Sequence, residues 1–360
     1  MIVDGVKNTL ATAKGSFEIA SASFLRFRQH QIIRSHYIRL LVAISLTTFI
    51  GFAYHVFSGT TPIPVEKDYW LWANTGNRQS TLRQRLAESV PYFPNERWSR
   101  NIVQSWRSSV IETPIYQSWE NHKRDFNHIF FVDPEQDRCV RNLTRNNLHD
   151  VEFAYFQLLN KAIVRADLFR YFSIWAFGGI WADVDTWLRR PFDEWISMAS
   201  PSVKSANIAK LERKVGMIVG IEYEHSQTLV QYVFAAKRGH PVLLELVADI
   251  VEKAPEIALS IDKKTFKSGQ VLHTTGPIRF TEVVRQWVQK RWNASFDASK
   301  EWKELRSPTL FGDILVLPQW GFGGNQPYRP DHHDDKPGAH DDRTCVAHEY
   351  HNSWSSINDD

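Results

Sequence analysis

The chain has 360 residues, and its 43 Lys+Arg against 40 Asp+Glu leave a formal charge of +3, which gives no electrostatic case for a nucleic-acid partner. Apolar residues make up 43% and charged residues 23%, ordinary globular usage that excludes a disordered or low-complexity polymer. The only cysteines, Cys139 and Cys345, exclude a disulfide scaffold or a four-cysteine zinc site and allow one bridge at most.

Residues 38–57, IRLLVAISLTTFIGFAYHVF, depart from this average and carry no formal charge from Leu40 to His55. The run is about as long as the ~20 helical residues that cross a hydrocarbon layer. Residues 1–39 hold six basic and two acidic side chains, and the positive flank of a span stays in the cytosol. A cleaved signal peptide would start nearer the N-terminus and end on small residues, whereas this run ends near Tyr54 and Phe57. The expectation is a cytosolic tail over 1–37, a single transmembrane signal anchor over 38–57, and a luminal remainder. A buried core helix is the alternative, with Ser45, Thr47, Thr48 and His55 in its favour. Two acceptor sequons, Asn142-Leu143-Thr144 and Asn293-Ala294-Ser295, fit a lumen.

Residues 58–97 scatter Pro, Gly and polar residues without a sustained period and read as a stem, leaving 98–360 as the catalytic domain. There, short apolar runs at 102–103, 128–132, 216–221 and 313–317 alternate with helical stretches, the pattern of an α/β domain. The strongest helix is expected over Phe153–Phe177, stopped by Gly178-Gly179. A short strand then leads to Asp183 and Asp185. Along an extended strand, residues two apart point to one face, so both carboxylates would meet a hard divalent ion such as Mn²⁺ or Mg²⁺. Asp167 and Arg170, three apart on the preceding helix, share a face, and a charged pair in such aromatic surroundings needs a reason to be buried. Residues 331–342 form an Asp/His-rich loop, which reads as solvated more readily than as metal-binding.

The run RADLFRYFSIWAFGGIWADVDT resembles the DXD-containing region of glycosyltransferase family 32, and within it the fungal Golgi initiation-specific α-1,6-mannosyltransferases. The resemblance continues through Asn101-Ile102-Val103-Gln104-Ser105-Trp106, Val219-Gly220-Ile221-Glu222, residues 237–243, Thr275-Gly276-Pro277, residues 312–318 and 348–354. It implies a GT-A fold and a retaining, metal-dependent transferase. Asp183, Asp185 and Arg170 would then be catalytic, with Asp183 and Asp185 carrying metal and donor and Asp185 the direct ligand. Asp167 and Arg170 match positions that contact the donor sugar and its phosphates, and Gln104 lies near the seat of the base. Glu349 and His348 both stand where relatives return a third metal ligand, Trp354 would seal the donor pocket, and Glu222 is a candidate for acceptor contact.

The implied reaction moves mannose from GDP-mannose to a mannose-containing glycan in the Golgi lumen, initiating the outer chain of protein N-glycans. Transfer to inositol phosphoceramide, use of another sugar nucleotide such as UDP-galactose, and a non-catalytic lectin or scaffold of a transferase complex are the alternatives. Val103 and Asn352 stand where the family often has an aromatic residue and a glycine, which puts donor identity in question.

Overall fold

The computed structural model describes residues 81–107, 114–121, 125–198, 208–222, 227–292, 296–322 and 342–348. The expected anchor at 38–57, Asn293, residues 331–341, Glu349 and Trp354 lie outside them. Among the described residues no helix is long and apolar enough to cross a membrane.

Seven strands form one sheet: β1 (Asn101–Trp106), β2 (Asn127–Val132), β3 (Gly179–Ala182), β5 (Met217–Gly220), β6 (Val233–Ala236), β7 (Thr309–Phe311) and β8 (Ile314–Leu317), in the order β2-β1-β3-β6-β5-β8-β7. A separate two-stranded sheet pairs β4 (Thr186–Leu188) with β9 (Val346–His348). The large sheet is mixed: β1 runs parallel to β2 and β3, and β5 to β8, whereas β6 runs antiparallel to both its neighbours. The α/β expectation is met.

Both faces of the sheet are covered, which is why its strands read as continuous apolar runs rather than alternating ones. Val103, Trp181, Val219, Phe234 and Val316 face one core, with helices α1 (Leu82–Ser89), α2 (Asp133–Thr144), α3 (His149–Gln157), α4 (Ala162–Phe177), α5 (Pro241–Asp262), α6 (Ser268–Thr274) and α7 (Pro277–Arg291) supplying much of the rest. Their strand neighbours Ile102, Ile180, Ala182, Ile218, Val233 and Leu317 face a second core with Trp98, Trp119, Phe192, Trp195, Phe322 and Val346. The period-two alternation of a strand thus splits each run between two cores. Cys139 and Cys345 are both buried and free.

Two expectations need correction. Helix α1 lies within the expected stem, where Thr81 and Gln84 form a capping box. Leu82 and Leu86 are buried in the core and Arg83 Nε donates to Glu245 of α5 at 2.7 Å, so this stretch belongs to the folded body. The single helix expected over 153–177 is two, α3 and α4. The chain turns at Leu158–Lys161, where the Lys161 N–H bonds the Leu158 carbonyl at 3.1 Å and Leu158 is fully buried. An apolar period persists through such a turn because Leu158 packs as a helical residue would.

At the sheet edge where β8 begins, Asp313 Oδ2 accepts from the Tyr92 hydroxyl at 2.8 Å and lies 3.3 Å from His240 Nε2. Burial works against the Asp313 carboxylate, but His240, Tyr92 and Trp287 hold it down to about 2. A folded-state value below the ordinary one stabilises the fold above about pH 4, and that contribution is lost as pH falls toward 2. Asp313→Asn is therefore expected to cost about 2 kcal/mol at pH 7, with the gap to wild type closing between pH 4 and 2 in urea denaturation.

Candidate active site

The parallel strands β1 and β3 end side by side, and the crevice beyond the carboxyl ends of strands is where open α/β sheets seat ligands. Helix α4 leads into this edge. Eleven of its sixteen residues are buried, so its faces cannot be told apart by polarity. Its end is set by Gly178, whose φ of 67° suits a residue without a Cβ, and by the 2.8 Å bond from the Gly178 N–H to the Ile174 carbonyl.

After β3 the chain does not stay extended. The Thr186 N–H bonds the Asp183 carbonyl at 3.0 Å, closing a turn over 183–186, so the same-face argument for the two carboxylates fails. Three donors fix this turn, since the Asp183 carbonyl also accepts from the Thr186 hydroxyl and, at 3.4 Å, from Gln104 Nε2. Gln104 is fully buried on β1, with Oε1 2.8 Å from His128 Nε2. Its amide lies under the turn and is engaged inside the protein.

The carboxylates leave this turn in different company. Asp183 accepts from Arg170 Nη2 at 3.0 and 3.1 Å and from Trp181 Nε1 at 2.6 Å. Asp185 Oδ1 lies 3.2 Å from His348 Nε2, because β4 pairs with β9 in the register Thr186 to His348. The His348 ring stacks on Tyr232 at 3.9 Å and 12°, which fixes its plane. Neither Tyr232 nor the β4–β9 pairing was expected from sequence; only the ordered resemblance at 348–354 pointed to the segment.

Asp167 and Arg170 do pair, through Arg170 Nη1 and Asp167 Oδ1 at 2.8 Å. Asp167 is fully buried and Arg170 is 5% exposed. The guanidinium also lies 5.4 Å from the Trp181 ring centroid, and its Nε has no hydrogen-bond partner among the described residues. Burial pushes the Asp167 carboxyl up to about 6 against the pull of Arg170 and Thr275. Burial raises Asp183 as well, with Arg170 opposing and Asp185 adding to the rise. For Arg170, burial is outweighed by Asp183 and Asp167, so the group holds its charge. Glu222 follows β5 at the same edge, two strands from β3, with its N–H on the Thr228 carbonyl at 2.9 Å.

A family model described as "Glycosyltransferase sugar-binding region containing DXD motif" matches residues 109–200, the segment that holds Asp167, Arg170, Asp183 and Asp185. The initiation-specific alpha-1,6-mannosyltransferase of Candida albicans is 30% identical over 317 residues, covering 77% of this chain and 77% of the relative. The chain belongs to the DXD-containing glycosyltransferases. The initiation-specific alpha-1,6-mannosyltransferase of Schizosaccharomyces pombe is similar at 26% identity over 250 residues, 66% of this chain and 58% of the relative. Among solved structures, "PaToxG Glycosyltransferase" superposes with a TM-score of 0.36 at 14% identity, over 58% of this chain and 77% of that one. The Arg170–Asp183 and Asp185–His348 pairs stand side by side along the 183–186 turn.

Proposed function

We propose that this glycosyltransferase moves mannose from GDP-mannose to a mannose-containing glycan, forming an α-1,6 linkage with retention at the anomeric carbon on a GT-A scaffold. The observation that carries the reading is the division of labour in the turn, Asp183 held by Arg170 and Trp181 and Asp185 set beside His348. The similar fungal enzymes, initiation-specific alpha-1,6-mannosyltransferases, support mannose as the sugar and the α-1,6 linkage.

Asp185 and His348 would hold a divalent ion, Mn²⁺ or Mg²⁺. Among the described residues no group of three or more His, Cys, Asp or Glu side chains forms a metal site by itself. One carboxylate and one imidazole nevertheless fit an ion that keeps positions open for substrate phosphates. Glu349, the next residue, and Trp354 remain proposed as a further ligand and as a cover of the donor pocket. When bound, the ion supplies Lewis-acid neutralisation of charge on the departing diphosphate. Arg170 would add positive charge to the same region while its fork holds Asp183, and Trp181 and Gln104 keep the Asp183 turn from yielding. Glu222, at the same edge, would meet the acceptor.

The apolar run at 38–57 with its basic flank supports a type II anchor that keeps the catalytic domain in the Golgi lumen. The test of function is turnover of GDP-mannose with an α-mannoside acceptor, with Mn²⁺, with a chelator, and with Mn²⁺ restored. Transfer that is lost to the chelator and recovered with the ion is expected. Turnover of a different sugar nucleotide overturns the donor assignment, and no turnover of any donor returns the chain to a lectin or scaffold of a transferase complex.

A further inference from the structure

We infer that Thr275, Gln231 and Tyr171 form a clamp that fixes the buried Asp167 carboxylate so that it aims Arg170 at Asp183, which makes all four positioning residues for the transfer. The inference rests on the proposed function only in using transfer as one of its readouts.

The clamp begins in the sequence Thr275-Gly276-Pro277. Helix α6 ends with Thr275 at its C-cap, and α7 starts with Gly276 at its N-cap and Pro277 at the first helical position, where a missing N–H costs nothing. A Cβ on Gly276 would come within 2.8 Å of the Leu272 Cα and 2.9 Å of the Val271 carbonyl oxygen, so only glycine allows the two helices to meet this closely. The junction delivers a fully buried threonine hydroxyl across 108 residues of chain to Asp167 Oδ2 at 2.8 Å. On the other oxygen, Gln231 Nε2 donates to Asp167 Oδ1 at 3.3 Å, beside Arg170 Nη1 at 2.8 Å. The Tyr171 hydroxyl closes the ring by bonding Gln231 Oε1 and reaching the Thr275 carbonyl at 2.8 Å, while its own ring stacks on Phe280 of α7 at 5.7 Å and 6°.

Donor accounting then assigns the roles. Asp167 takes three bonds, from Arg170 on its own helix and from Gln231 and Thr275 distant in sequence, and has no exposed surface, so a substrate hydroxyl would reach it only by displacing one of them. Arg170 instead spans two carboxylates, with Nη1 on Asp167 and Nη2 on both oxygens of Asp183. A planar fork held at one end points its other end, and a shift of Asp167 swings the guanidinium off Asp183. The residues that hold Asp167 therefore act on the DXD turn without touching it.

The experiment compares Thr275→Val, which keeps the volume and loses the hydroxyl, with Thr275→Ser, which keeps the hydroxyl and loses a methyl. Packing alone favours valine; the clamp favours serine. The expected result is a drop of about tenfold in kcat/KM for Thr275→Val, the loss of one hydrogen bond to a charged group, and a change within about threefold for Thr275→Ser. Full activity in Thr275→Val, or equal loss in both variants, overturns the clamp. Should Thr275→Val not fold, Tyr171→Phe keeps the ring stack, removes the closing hydroxyl, and is expected to lose about fivefold; no loss there overturns the clamp equally. Crystal structures of the variants read the guanidinium directly and need no donor. Arg170 displaced from Asp183 in Thr275→Val but not in Thr275→Ser supports the clamp even in a protein that ignores GDP-mannose, whereas Arg170 unmoved in both sinks it whatever the donor.

Discussion

Asp185→Asn is expected to abolish transfer, with a loss on the order of 10³-fold in kcat, while the thermal midpoint stays within a few degrees of wild type. Asp185→Asn keeps the shape of the side chain and an oxygen acceptor beside His348 Nε2, 3.2 Å away, so the fold is expected to lose about 1 kcal/mol. Asp183→Asn should behave differently. Both Asp183 oxygens face Arg170, a guanidinium that is 5% exposed, and removing that charge leaves a buried cation with one carboxylate instead of two. Breaking a buried pair costs about 3 kcal/mol or more, so Asp183→Asn loses stability together with activity. Parallel measurement of turnover, Mn²⁺ dependence and urea denaturation separates the two aspartates. Undiminished turnover in Asp185→Asn removes it from the metal site, and equal stability losses in both variants contradict the division between a carboxylate that balances the buried Arg170 and one set beside His348.

That division was beyond the reach of sequence. Asp183 and Asp185 could be found because a glycine pair, a short apolar run and two acidic residues make an unusual string, and Asp167 with Arg170 could be paired because three residues on a helix is one turn. The direction of each carboxylate depends on contacts distant in sequence. The turn over 183–186 is held by Gln104 from β1, 79 residues earlier, and Asp185 meets His348 only because β4 pairs with β9. Strands of three residues leave too short a pattern for period-two alternation to register. The sheet runs were legible because both faces are buried, and the same burial hid the break between α3 and α4, since a helix that is apolar all round has no polar stripe whose loss would mark a turn. Gln231 and Tyr171 carried no signal: a glutamine before a strand and a tyrosine in an aromatic helix look like core residues until the bonds to Asp167 are seen.

The glycine pair carries the second large effect, and Gly179→Ala is expected to destabilise the fold by at least about 4 kcal/mol, enough to leave little soluble protein. Gly179 has φ of 109°, a region closed to side chains, and a Cβ there would sit 2.3 Å from the Asn101 carbonyl oxygen and 2.9 Å from the Asn101 Cβ. Neither atom can retreat. Asn101 opens β1, its Nδ2 donates to the Phe177 and Gly178 carbonyls at 3.1 and 3.3 Å, and Gly179 is itself paired with Ala236 of β6. The added carbon would have to push β3 away from β1, and Asp183 stands only four residues further on. Any protein that does fold should therefore lose transfer as well. Gly178→Ala meets the Arg238 backbone nitrogen at 2.7 Å and the Ser99 hydroxyl at 2.8 Å with φ of 67°, a milder conflict because its nearest backbone atom is 2.7 Å away against 2.3 Å for Gly179 and its φ lies in the left-handed region that some side chains adopt. Gly269 supplies the control: it lies in helix α6 with nothing within 4 Å of its Cβ position, so alanine there should stabilise by about 0.5–1 kcal/mol. The ordering Gly179 far below Gly178, with Gly269 above wild type, is what denaturation should return. A Gly179→Ala protein that is stable and active would mean that β1 and β3 can separate without moving the DXD turn, and the link between the glycine pair and the site would be wrong.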